Sequence, residues 1–140
     1  MFKGCTSLTV TPTFTVPTTI NSNGHFSNMF AGCTSLTTAP ELPMTNFGTS
    51  TSIYRTMFSG CTALTTTPVL PATTLTDSCY MEMFAGCTSL TTVQGISATT
   101  LGTSACTKMF SGCTSLVVTP ELHATTLANY CYSNMFASCT

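Results

Sequence analysis

A repeat solenoid of mainly β character is the fold class this sequence predicts, and three observations carry it. Near-identical fifteen-residue stretches recur: MFAGCTSLTTAPELP from Met29, MFSGCTALTTTPVLP from Met57 and MFSGCTSLVVTPELH from Met109. The Met-Phe pair returns at 1, 29, 57, 83, 109 and 135, with spacings of 28, 28, 26, 26 and 26 residues. Each full period repeats one Leu, one Gly-Cys pair and a run of Thr at the same offsets. A unit this small cannot bury its apolar face alone, whereas stacked neighbours bury a continuous core.

The five full repeats span 1–28, 29–56, 57–82, 83–108 and 109–134, and a partial repeat covers 135–140. Together they form a single solenoid over 1–140. A period of 26–28 falls within the range of leucine-rich repeats, so the expected coil is of leucine-rich-repeat type: a short helical turn plus short parallel strands, α/β to mainly β.

The third repeat shows the reasoning. Running out of it into the fourth, TDSCYMEMFAG and the next residue place Cys79, Met83 and Cys87 at i, i+4 and i+8, with Tyr80 and Phe84 one residue on from the first two. That spacing predicts about two turns of helix. Asp77 or Ser78 is suited to cap its start, and Gly86 to take the left-handed conformation just past its end. The same glycine stands at 4, 32, 60 and 112 and becomes Ser138 in the partial repeat.

After each such turn comes a stretch like CTALTTTPVLPATTL of the third repeat, in slightly varied forms. Thr and Val favour strands, and Pro at 12, 40, 68 and 120 ends or bends the run at a sheet edge. Leu8, Leu36, Leu64, Leu90 and Leu116 form one inward row, and Phe14, Leu42, Leu70, Ile96 and Leu122 a second. An extended return through ATTL closes each coil, giving two or more ladders of short parallel strands. The first two repeats carry two extra residues in that return, as in MTNFGTSTSIYRT.

Composition narrows function by exclusion. Only 5% of the chain is charged, while Thr supplies 33 of 140 residues and Ser another 15. A net charge of −1, with Lys3, Arg55 and Lys108 scattered, removes the electrostatic basis for binding nucleic acid or an anionic membrane. Disorder does not fit, since 43% of residues are apolar. No apolar run is long enough for a membrane span, and MFKGCTSLTVTPTF lacks the continuous apolar segment of a signal peptide. Met1 occupies a slot that is Met in every repeat, so the expectation is a piece of a longer array.

The pattern MFxGCTSL, followed by Pro, LPATTL and Cys-Tyr, resembles the BspA-like surface leucine-rich repeats of gut and oral bacteria and some of their phages. The resemblance covers essentially the whole chain. It implies a right-handed solenoid used for adhesion or protein recognition outside the cell, with no catalytic residues to carry over. The fourth repeat departs from the pattern: Gln94-Gly95 replaces the Pro corner and Ala105-Cys106 replaces Cys-Tyr. That puts the local corner in doubt.

The residues offer little chemistry. Six of nine cysteines (5, 33, 61, 87, 113 and 139) share one slot, Cys79 and Cys131 share a second, and Cys106 sits one residue off. A buried column of free thiols acting as small apolar residues is the preferred reading. A disulfide between adjacent repeats stays open as the alternative. Zinc does not fit, because there is no C-x₂-C pair and both histidines are isolated. His25 and His123 read as repeat variation. Glu41 and Glu121 share a slot three repeats apart, too far for paired acid–base work, and Asp77 and Glu82 complete the carboxylates. No hydrolase, phosphate-loop or dinucleotide fingerprint occurs, so neither an enzyme nor a cofactor is expected. Six of the eight methionines fill the Met-Phe slot and read as core.

The expected function is therefore a non-enzymatic extracellular module for protein–protein recognition or adhesion, at a cell surface or on a virion, with a protein or surface-glycan partner. Partner choice belongs in slots that vary between repeats. One reads Thr13, Glu41, Val69, Gly95, Glu121, and another Lys3, Ala31, Ser59, Ala85, Ser111. The row Thr9, Thr37, Thr65, Thr91 follows the Leu row and turns outward, ending in Val117. Such a hydroxyl ladder also suits an ice-binding surface, a minor alternative. The main alternative is a structural repeat of a fibre, stalk or phage virion component, because so little charge opposes self-association. Phe136 is expected to pack on the last full repeat.

Overall fold

Successive repeats lie side by side in parallel, each finding its backbone partners one repeat away. The computed structural model describes residues 1–12, 20 and 22–140. Its regular strands are β1 (Thr74–Leu75), β2 (Thr100–Leu101) and β3 (Thr126–Leu127), which form one open parallel sheet in the order β1-β2-β3. The register is Thr74 to Thr100 to Thr126 and Leu75 to Leu101 to Leu127, a step of one repeat. Single parallel bridges join Val10 to Thr38, Thr66 to Thr92 and Leu70 to Ile96. The expected parallel ladders are present, but the longest pairing is in the ATTL return rather than after the Leu row. Proline explains the shift: at 40 and 68 it removes an N–H that a longer ladder would need.

The expected helix does not form. Among the described residues there is no helix, and the segment from Asp77 to Gly86 is a chain of turns. Its amide groups alternate between two destinations. The N–H groups of Cys79, Met81, Met83, Ala85 and Cys87 donate to carbonyls three residues back. Those of Ser78, Tyr80, Glu82, Phe84 and Gly86 donate across to Thr103, Ala105, Thr107, Met109 and Ser111 of the next repeat, at 2.8–3.0 Å. A helix would need every amide to stay within its own segment.

The backbone turns left-handed every fourth residue, at Ser78 (φ 57°), Glu82 (φ 56°) and Gly86 (φ 73°), and the same three slots do so in the other repeats. Only glycine takes that conformation without cost; an L-residue there loses about 1–2 kcal/mol. That is the reason for the Gly column, whose α-carbons sit one above another, and Ser138 keeps the same conformation at φ 60°. The Asp77 carboxylate caps no helix. It accepts a hydrogen bond from the Thr103 amide of the neighbouring repeat at 2.7 Å.

A four-residue turn repeat and a 3.6-residue helix send the same side chains inward. Core assignments therefore survive the change of backbone. Phe30, Phe58, Phe84 and Phe110 are fully buried, as are Leu36, Leu64 and Leu90. The rings of Phe2, Phe30, Phe58, Phe84, Phe110 and Phe136 form one stack, with neighbours 5.5–5.7 Å apart and within 8° of parallel. Phe136 thus packs where expected, at 5.6 Å from Phe110.

In the second row Leu42, Leu70 and Ile96 are buried, whereas Leu122 is exposed. Phe14 lies outside the described residues. The altered corner of the fourth repeat holds: the Gln94 amide, which a proline would lack, donates to the Thr67 hydroxyl at 2.9 Å.

The residue just ahead of the insertion in the second repeat contributes to the core. Counted from the Met-Phe pair, Phe47 stands where Leu75 and Leu101 stand, and Gly48–Thr49 form an extra turn behind it. Phe47 is buried edge-on against Tyr54 and Tyr80, at 5.8 and 5.9 Å. Both tyrosine hydroxyls are buried with no hydrogen-bond partner among the described residues.

Candidate functional site

The cysteine column belongs to the scaffold. All nine thiols are free. Those of Cys33, Cys61, Cys87, Cys113 and Cys139 each donate to the carbonyl of a Phe in the preceding repeat, at 3.0–3.2 Å. That carbonyl already accepts the amide three residues ahead in its own repeat, so it serves two donors. Cysteine suits the slot because it is small, apolar and carries one weak donor. Burial pushes the thiols of Cys61, Cys79 and Cys113 up to about 12, and those of Cys87 and Cys106 well above their ordinary value. Groups held neutral in this way are poor nucleophiles.

The Thr rows are rungs of the ladder. Thr37, Thr65 and Thr91 are exposed, and the hydroxyls of Thr37 and Thr91 donate at 3.3 Å to the carbonyls of Thr9 and Thr65, one repeat earlier. Thr62 and Thr99 do the same toward Thr34 and Thr73. The side chain thus duplicates the bond its own amide makes in three of these four cases.

The slot running from Lys3 through Ala31 and Ser59 to Ser111 lies in the turn segment. Ala31 is buried there, while Ser59, Ala85 and Ser111 are half-buried. His25 is exposed, with Nδ1 2.9 Å from the Ser22 hydroxyl. His123 is 3.5 Å from Glu121 on an exposed edge. Among the described residues, no group of three or more His, Cys, Asp or Glu side chains is arranged to hold a metal ion.

One concave feature gathers residues that differ between repeats. Ala39, Pro40, Glu41, Leu42 and Pro43 of the second repeat and Pro68, Val69 and Pro71 of the third line a groove of about 350 Å³. Adjacent repeats both carry Pro-x-x-Pro here, as PELP at 40–43 and PVLP at 68–71. The buried Leu42 and Leu70 anchor the two corners from below. Four proline rings give walls with little conformational freedom to lose on contact. Glu41 is exposed, is the sole charged residue in the lining, and makes no ion pair among the described residues.

Two residues of the variable slot, Glu41 and Val69, therefore meet on one groove. Gly95 and Glu121 continue the same row on the fourth and fifth repeats, both exposed, where Ser97 and His123 replace the second proline. Thr13 lies outside the described residues. The groove prolines were legible in sequence only as corners; the signal for a groove was two Pro-x-x-Pro segments exactly one repeat apart. The lining offers apolar contact and one carboxylate, with no nucleophile and base in reach of each other. No helix is long and apolar enough to cross a membrane among the described residues. No protein-family model, curated protein or solved structure matches the chain.

Proposed function

We propose that the chain is a leucine-rich-repeat solenoid module that recognises a protein partner outside the cell, through the proline groove between its second and third repeats. The observation that carries this reading is positional. The residues that change from repeat to repeat, Glu41 and Val69, are exposed on an apolar concavity, while the recurring Phe, Leu and Cys rows of repeats two to four fill the core. A rigid scaffold that presents variable residues on an exposed concavity is the arrangement of a binding module, and the groove volume falls within the usual range for ligand sites. The one-repeat parallel register and the continuous Phe stack support the solenoid, and the resemblance to BspA-like repeats supports a cell-surface or virion setting.

A displayed peptide library panned against the 140-residue chain tests the site. Selected ligands should lose at least about tenfold in affinity on Val69→Lys, equivalent to about 1.4 kcal/mol, and be unaffected by Thr119→Lys on the fifth repeat. Ligands that bind both variants equally well would place recognition elsewhere. The structural reading, a fibre, stalk or virion component, is favoured by one observation of its own: with 5% charged residues and a net charge of −1, little repulsion opposes self-association.

A further inference from the structure

The proline groove carries one charge, and the fifth repeat shows what that charge lacks. Glu41 and Glu121 hold the same slot, twelve residues after the Met of their Met-Phe pairs. In the fifth repeat the residue two places on is His123, whose Nε2 lies 3.5 Å from the Glu121 carboxylate. In the second repeat that place belongs to Pro43, which has no N–H to offer. Among the described residues no Lys, Arg or His lies within ion-pair distance of Glu41. Its carboxylate is exposed on the groove and has no ion pair of its own to give up when a partner arrives.

The rest of the lining decides which cation fits. Pro40, Pro43, Pro68 and Pro71 bring carbonyl acceptors but no N–H, so a partner backbone finds no donor at any of the four. Recognition is left to side chains. The side chain that suits this lining has an apolar stem and a flat, donor-rich tip. Arginine is that side chain. Its guanidinium is planar, carries five donors and no acceptor, is more weakly hydrated than an ammonium, and meets a carboxylate through two parallel bonds. Its methylenes can lie along the proline rings and Val69 while its head reaches Glu41.

We infer that the groove takes an arginine side chain from an exposed segment of the partner protein, with the guanidinium on Glu41 and the arginine's apolar neighbours against the proline walls. This rests on the groove being the recognition site. No second charged residue lines the groove, so Glu41 alone sets the charge preference there. An acidic segment would meet the same carboxylate as a repulsion.

Fluorescence anisotropy on labelled pools of short peptides tests this. One position is fixed as Arg, Lys, citrulline (the uncharged isostere of Arg) or Glu, and the others are drawn from Ala, Leu, Val, Phe and Pro. The Arg pool should bind the 140-residue chain about fivefold more tightly than the citrulline pool, the upper end for an exposed pair, and more tightly than the Lys pool. Added salt should shrink that preference. Glu41→Gln should abolish it, Glu41→Lys should transfer it to the Glu pool, and Glu82→Gln, in the turn segment, should leave it unchanged. Glu41 is exposed, so its variants should keep the circular-dichroism spectrum of the parent chain. Binding that is lost on Val69→Lys but shows no preference for Arg overturns the arginine and leaves the groove as the site. A lack of any binding sensitive to Val69→Lys overturns both. An Arg preference that survives Glu41→Gln places the cation elsewhere, and self-association abolished by Glu41→Gln makes a second copy the occupant; either result also overturns the inference.

Discussion

Lys108 distinguishes the turn ribbon from a helix by the sign of a stability change. Its backbone is left-handed (φ 53°), its side chain is exposed, and its amide donates at 2.9 Å to Ser133 of the next segment. Replacing it with Gly relieves a conformational cost of about 1–2 kcal/mol but adds about 0.5–1 kcal/mol of backbone entropy lost on folding. The net expectation is a gain of roughly 0.5–1 kcal/mol. Lys108→Ala keeps the strain, because alanine also carries a Cβ, and should be close to neutral. In a helix interior the order reverses, with Gly about 1 kcal/mol worse than Ala. Urea denaturation of the two variants side by side reads the difference, and a shift of roughly 4 °C per kcal/mol in Tm provides a second measure. A Lys108→Ala protein more stable than Lys108→Gly would refute the left-handed assignment, and with it the alternating hydrogen-bond scheme built on it.

Three further outcomes are expected. Phe84→Ala removes a fully buried ring from the middle of the stack, between Phe58 at 5.5 Å and Phe110 at 5.7 Å, and should cost about 3–5 kcal/mol in denaturant unfolding. Tyr80→Phe deletes a buried hydroxyl that has no partner among the described residues and should raise stability by about 1 kcal/mol; a loss of that size would reveal a hydrogen bond. Alkaline pH should destabilise the fold. Folded Cys61, Cys79 and Cys113 ionise only near 12, against an ordinary 9.0 once unfolded. Their contribution is complete below pH 9 and declines between 9 and 12, by up to about 1.4 kcal/mol per thiol per pH unit. A flat urea midpoint from pH 8 to pH 11 would contradict it.

How much was legible in the residues differs from element to element. The repeat boundaries, the Phe and Leu rows, the left-handed glycine and the packing of Phe136 follow from periodicity alone, because side-chain facing depends only on the spacing of residues along the chain. Phe47 holds the slot of Leu75 and Leu101 just ahead of an insertion, and its contacts with Tyr54 and Tyr80 were not legible because they come from the same and the following repeat. Of the candidate binding residues, Glu41 and Val69 meet on a groove because two Pro-x-x-Pro corners are adjacent in space. Thr37 and Thr91 instead direct their hydroxyls to the backbone, which sequence cannot distinguish from pointing them at a ligand.

By itself, the sequence determined which residues face inward and that each repeat must lean on the next. Only the tertiary structure decided how the backbone achieves it. Cys79, Met83 and Cys87 at four-residue steps are compatible with a helix and with a chain of four-residue turns alike. What separates the two is where the amides of Ser78, Tyr80 and Glu82 go. Their acceptors lie 25 residues away, in the next repeat, beyond the reach of any local pattern.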